Sequence, residues 1–181
     1  MPFKNNRILV TNSLIHTGFM PDASELNRQI MAAYMQLGDQ DFLKRTHFFN
    51  GRYENLYLQR ERIPEISRIL EQAEIYAADI LQNKHSGKLR SGFWINDMGS
   101  GAVTTEHDHD EDDELLSAVY YVQVPPNSGE LNIIDLYSHT LITPQSGMFV
   151  FFAPSVRHSV SINNSLERRI SIGMNFGHKL T

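Results

Sequence analysis

The chain has 181 residues, 41% of them hydrophobic and 20% charged, a balance that supports a buried core and excludes a disordered, fibrous or coiled-coil polymer. A formal charge of -5 without any Lys/Arg-rich stretch leaves no electrostatic footprint for nucleic acid or an anionic membrane surface. The absence of cysteine removes disulfides and thiolate metal sites, so any metal must be held by His, Asp or Glu.

No run of 18 apolar residues occurs, and residues 1–10 lack an apolar signal core, so a cytoplasmic protein forming one domain over residues 1–181 is expected. In chain order, Ile8, Val10, Leu14 and Ile15 suggest a β-prone opening segment with imperfect alternation. After Pro21 the pattern becomes helical. Asp22 or Ser24 is placed to cap, and Leu26, Ile30, Met31, Tyr34 and Leu37 recur on one face before Gly38. A longer helix follows, with Pro64 in its first turn and an apolar face of Ile66, Ile69, Leu70, Ala73, Tyr76, Ala77, Ile80 and Leu81. The first half, residues 1–90, thus reads as helical and edge-strand support, and its apolar helix faces would pack on a sheet or in a homodimer.

Residues 91–178 change character. Short β-rich runs at 92–98, 102–109, 115–123, 130–135, 139–143, 147–152, 158–162 and 169–176 alternate with turns such as Pro125-Pro126-Asn127-Ser128-Gly129. Eight short strands suit a mainly β protein with a double-stranded β-helix core, the jelly-roll architecture of the cupins, supported by N-terminal helices.

The run Glu106-His107-Asp108-His109-Asp110-Glu111 carries the most chemistry. Side chains two apart on a strand share a face, roughly 6 to 7 Å apart at Cα, so His107 and His109 would project together, with Glu111 joining them if the strand continued. A His-x-acid pair plus a distant His forms the facial triad of non-haem Fe(II) oxygenases, which leaves coordination positions open. The spacing offers His107 with His109, or His109 with Glu111. His158, opening a strand after the Pro154-Ser155 turn, is the distant candidate. Arg169 and Ser171 share a later strand face, where a planar guanidinium beside a hydroxyl suits a carboxylate. Tyr120 and Tyr121 are adjacent, so only one can face inward. Asn96, Asn132 and Asn175 are pocket candidates; Phe149, Phe151 and Phe152 read as packing, and the other histidines, His47 among them, as structural.

Trp94-Ile95-Asn96, Gly101, His107-Asp108-His109, Ser117-Ala118-Val119-Tyr120-Tyr121-Val122, Ser128-Gly129, and Gly147 through His158 to Arg169-Ile170-Ser171 occur in the order found in small bacterial and phage 2-oxoglutarate-Fe(II) oxygenases, which the chain therefore resembles. Ala118 replaces the usual glycine, and the segment after the H-x-H element is about two residues longer than in that family. The resemblance implies that His107 and His158 hold Fe(II), with His109 where related enzymes place a carboxylate and Glu111 as the alternative acidic ligand. It implies that Arg169 and Ser171, helped by Tyr121, bind 2-oxoglutarate. With O2, the expected reaction hydroxylates an unactivated C–H bond of a small molecule or peptide and releases succinate and CO2. Two other readings stay open. Gly101-x5-His107-x-His109-x4-Glu114 also fits a cupin dioxygenase or isomerase in which Glu114 binds metal, and a β-helix can serve as a non-catalytic binding module. The acidic stretch from Asp110 to Glu114 reads more readily as a solvated loop than as a lid that recognises a cationic substrate.

Overall fold

The computed structural model describes residues 9–12, 15–81, 89–109, 113–135 and 138–178. The first half supplies strands β1 (Leu9–Asn12) and β2 (Ile15–Phe19), helix α1 (Ala23–Tyr34), strands β3 (Phe42–Phe49) and β4 (Arg52–Leu58), and helix α2 (Ile66–Ile80). The second half supplies β5 (Leu89–Met98), β6 (Thr104–His107), β7 (Glu114–Gln123), β8 (Leu131–Asp135), β9 (Ser138–Ile142), β10 (Met148–Phe152), β11 (Arg157–Val160) and β12 (Arg169–His178).

Both helices form where the apolar spacing places them. α1 buries Leu26, Ile30 and Tyr34, and α2 buries Ile66, Ile69, Leu70, Ala73, Tyr76 and Ala77. The expected side-chain cap on α1 is absent. Asp22 has a left-handed backbone (φ 50°) and Ser24 lies within the helix, whereas capping needs an extended residue whose oxygen reaches the N–H groups of the first turn.

The hairpin of β3 and β4 adds edge strands between the two helices, at a place where no strand was read from the sequence. Its turn is Asn50-Gly51, both at positive φ (46° and 78°), as a two-residue hairpin requires. β4 joins β5 through Leu56 and Ile95, and β3 closes that edge of an eight-stranded sheet ordered β1-β2-β10-β7-β12-β5-β4-β3. A four-stranded sheet ordered β6-β11-β8-β9 faces it. From β5 onward the chain divides its strands equally between the two sheets, the double-stranded β-helix pattern.

Strand alternation then sorts side chains between two interiors. Along β12, Ile170, Ile172, Met174 and Phe176 enter the core beneath the helices. Arg169, Ser171 and Gly173 from the same strand line a cavity between the sheets. β7 sends Leu116, Ala118, Tyr120 and Val122 toward the helices and Tyr121 into the core between the sheets. On β10, Phe149 and Phe151 go with the helices, while Val150 and Phe152 join the inter-sheet core. The site therefore lies between the two sheets, and the other face of the large sheet is a buried apolar layer beneath the helices.

Candidate metal centre

Antiparallel pairing of β6 with β11 sets His158 directly opposite His107, and their ring centroids are 4.3 Å apart. β6 ends at His107, two residues short of the expected strand. His109 nevertheless returns to the same face, because its N–H donates to the Pro154 carbonyl at 2.8 Å in the turn before β11. Its ring centroid lies 5.1 Å from His107 and 4.9 Å from His158. One ligand nitrogen from each ring lies within 4.8 Å of the others. Glu111, the alternative acidic ligand, lies outside the described residues.

Each ring is held by Nδ1. His107 Nδ1 bonds to the Thr105 carbonyl at 2.8 Å, and His158 Nδ1 to the Val156 carbonyl at 3.1 Å. His109 Nδ1 bonds to Asn175 Oδ1 at 2.9 Å; Ser117 Oγ lies 3.1 Å from the same nitrogen and donates to that amide oxygen at 2.9 Å. An acceptor opposite Nδ1 demands the Nδ1–H tautomer, which leaves the Nε2 lone pair for a cation. Burial, and next the nearby His107, lower His109 to about 4. Burial, then His107 and His109, lower His158 to about 3. Both rings are neutral, as metal ligands must be.

β6 has its own anchor. Glu54 on β4 is buried, with one carboxylate oxygen accepting the Thr105 N–H at 3.0 Å and the other the Thr105 hydroxyl at 2.9 Å. Thr105 is also the residue that orients His107. Neither Glu54 nor Thr105 carries a sequence signal of its own; the Asn50-Gly51 turn, which sets the hairpin bearing Glu54, is the nearest one. The same hairpin brings His47, read from sequence as structural, to 6.0 Å from the His107 ring.

Across the cavity lies Arg169, 1% exposed and the largest fully buried side chain. Its Nη1 donates to the carbonyls of Gly129 (2.8 Å) and Ser128 (3.3 Å), and its guanidinium carbon lies 5.0 Å from the centroid of the Tyr121 ring. Gly129 is obligatory there, since its φ is +92° and a Cβ would stand 2.2 Å from the Ser161 carbonyl oxygen. Burial lowers the pKa of Arg169, partly opposed by Tyr121. Among the described residues no carboxylate forms an ion pair with it. Arg169 Nε, the Tyr121 hydroxyl and Asn96 Oδ1 are buried without a hydrogen-bond partner. Such groups are costly to leave unsatisfied; Arg169 Nε and the Tyr121 hydroxyl can donate to an anion's oxygens, whereas Asn96 Oδ1 can only accept.

His107, His109, His158, Tyr121, Arg169 and Ser171 thus line one cavity. Asn96 lines it too, and Asn175 holds His109, whereas Asn132 bonds instead to Ser159 and His139 on the small sheet. Tyr120 faces the helices and donates to Asn27 Oδ1 at 2.7 Å. Phe152 packs in the inter-sheet core, with its ring 4.7 Å from that of His158. Glu114 begins β7, outside the three-histidine cluster.

No protein-family model matches the chain, and no curated protein does. Solved structures do. An oxidoreductase of the 2OG-Fe(II) oxygenase family from Burkholderia pseudomallei superposes with a TM-score of 0.64 at 18% identity, over 89% of this chain and 84% of that one. A Pseudomonas putida prolyl-4-hydroxylase gives 0.62 at 16% identity over 92% and 88%. The non-heme alpha ketoglutarate dependent carbocyclase SnoK from nogalamycin biosynthesis gives 0.68 at 14% identity over 91% and 79%. The architecture read from the strand pattern, a mainly β double-stranded β-helix with N-terminal supporting helices, is the one this chain shares with those structures.

Proposed function

We propose that the chain is an Fe(II)- and 2-oxoglutarate-dependent oxygenase that hydroxylates an unactivated C–H bond of a small molecule or peptide with release of succinate and CO2. The observation that carries this reading is the buried Arg169, without a carboxylate partner among the described residues, in the same cavity as three Nδ1-anchored imidazoles. Three imidazoles on one side of an ion leave the other side open for substrate and O2. They add no negative charge, so a dianionic co-substrate balances a divalent cation. The fold shared with solved 2-oxoglutarate enzymes supports the same reading.

In this reading His107, His109 and His158 hold the iron, which when bound supplies O2 activation coupled to oxidative decarboxylation of the co-substrate. Arg169 receives the distal carboxylate through its planar donor fork, with Ser171 beside it and the Tyr121 hydroxyl as a further donor. Leu131, Phe152 and Val160 form apolar walls of the cavity, which exclude water and strengthen those charge-assisted bonds. The Nδ1 anchors keep the imidazoles oriented before and after turnover.

A cupin-type site with Glu114 as acidic ligand is disfavoured, because that carboxylate stands apart from the cluster. The test is thermal denaturation without oxygen. Mn(II) should raise the Tm, and 2-oxoglutarate should raise it further only when Mn(II) is present. Arg169→Ala should keep the first rise and lose the second; a second rise that survives in Arg169→Ala contradicts the assigned role.

A further inference from the structure

A second cavity, about 110 Å³ in volume, opens outward from the metal side of the first, with Trp94, Asn55, His107 and His109 lining both. Tyr57 and Trp94 form aromatic walls, their ring centroids 6.0 Å apart. Glu114 and Asp108 supply two carboxylates; among the described residues no lysine or arginine lines the space, which His47, His107 and His109 also border. One oxygen of Glu114 is fully buried and makes no hydrogen bond to any described residue.

Arg90 on β5 pairs with Asp113, the residue before Glu114. Lys44 on β3 lies over the Tyr57 ring at 5.6 Å. An anion with a desolvated, unpaired oxygen beside two π-faces is the arrangement that recognises an ammonium group.

We infer that this outer cavity is the subsite for the primary substrate and that Glu114, flanked by Trp94 and Tyr57, selects a substrate carrying a cationic amine. The inference rests on the oxygenase reading for what happens to that substrate; the subsite itself is present without metal and is tested separately. Divalent iron and dianionic 2-oxoglutarate would cancel one another, so the carboxylates of the outer cavity would still set the sign of the field that the substrate meets. An amine anchored at Glu114 leaves the remainder of the molecule to extend past His107 and His109 toward the inner cavity.

Trp94 is the sole tryptophan, so intrinsic fluorescence reports occupancy directly. Benzylamine and the near-isosteric, neutral benzyl alcohol are titrated into the full chain, both metal-free and loaded anaerobically with Mn(II) and 2-oxoglutarate. Benzylamine should bind at least about tenfold more tightly than the alcohol in both forms. Glu114→Gln, which keeps the shape, should erase that preference and leave the 2-oxoglutarate Tm rise intact. Equal affinities in the wild type, or a preference that survives Glu114→Gln, overturn the subsite. Loss of the 2-oxoglutarate response with the amine preference retained would instead count against the oxygenase reading alone.

Discussion

His107 and His158 stand opposite one another across the β6–β11 ladder, 51 residues apart in the chain and 4.3 Å apart at their ring centroids. Strand register, not a flexible loop, fixes this pair, so it belongs to the rigid part of the molecule. Replacing either residue with alanine should abolish the Tm rise given by Mn(II), with at least a hundredfold loss of affinity. His139→Ala, on the outer strand of the small sheet, should leave the rise unchanged. Isothermal titration under anaerobic conditions measures both.

The residues that hold the rings should matter almost as much as the rings. Asn175→Ala removes the acceptor for His109 Nδ1, and a loss of about 10- to 100-fold in metal affinity is expected. Glu54→Ala frees Thr105 from two hydrogen bonds. It should cost about 2–4 kcal/mol in stability and weaken metal binding through His107. Metal affinity unchanged in Asn175→Ala would mean that His109 needs no such anchor.

Gly173 sits where a Cβ would lie 2.3 Å from Cε2 of Trp94. Gly173→Ala must therefore push the indole out of place, at a cost of about 1–3 kcal/mol. The indole packs edge-on against the His109 ring at 5.3 Å, so the shift should appear as a changed Trp94 emission maximum together with weaker metal binding. An unaltered emission spectrum would show that the strand yields instead of the ring.

Acid should destabilise the metal-free chain through the same imidazoles. His158 is lowered to about 3 and His109 to about 4 in the folded state, against about 6.5 when unfolded. Below pH 6.5 the unfolded chain therefore binds more protons, and stability present above that pH is lost progressively toward pH 4. The slope is at most about 1.4 kcal/mol per pH unit for each ring. His158→Gln should show a shallower decline of Tm between pH 7 and pH 4.5; a profile parallel to the wild type would contradict the burial argument.

The run of short strands in the second half made the β-helix legible, because β7, β10 and β12 are buried nearly throughout and the pattern of residues 169–176 separates apolar from polar positions cleanly. Arg169 and Ser171 stood out for the same reason, as polar residues on a strand whose other face is apolar, whereas His107 and His158 stood out by the H-x-H spacing and by the turn that precedes His158. The hairpin of β3 and β4 was not, since β3 is an edge strand with most of its side chains exposed and offers no clear alternation. Its Asn50-Gly51 turn was the available signal. Glu54 and His47 were hidden with it, their roles arising only when β4 pairs with β5. The strand limit at His107 was also hidden, because the bond from His109 to Pro154 depends on a turn more than 40 residues away.

The most direct test of the central claim is 2-oxoglutarate turnover measured as succinate. The wild-type chain with Fe(II), O2 and 2-oxoglutarate should release succinate, even at a slow uncoupled rate without primary substrate. Omission of Fe(II) or the change Arg169→Ala should abolish the release. Succinate formed equally by Arg169→Ala, or none formed by a wild-type chain that binds both metal and 2-oxoglutarate, would contradict the account.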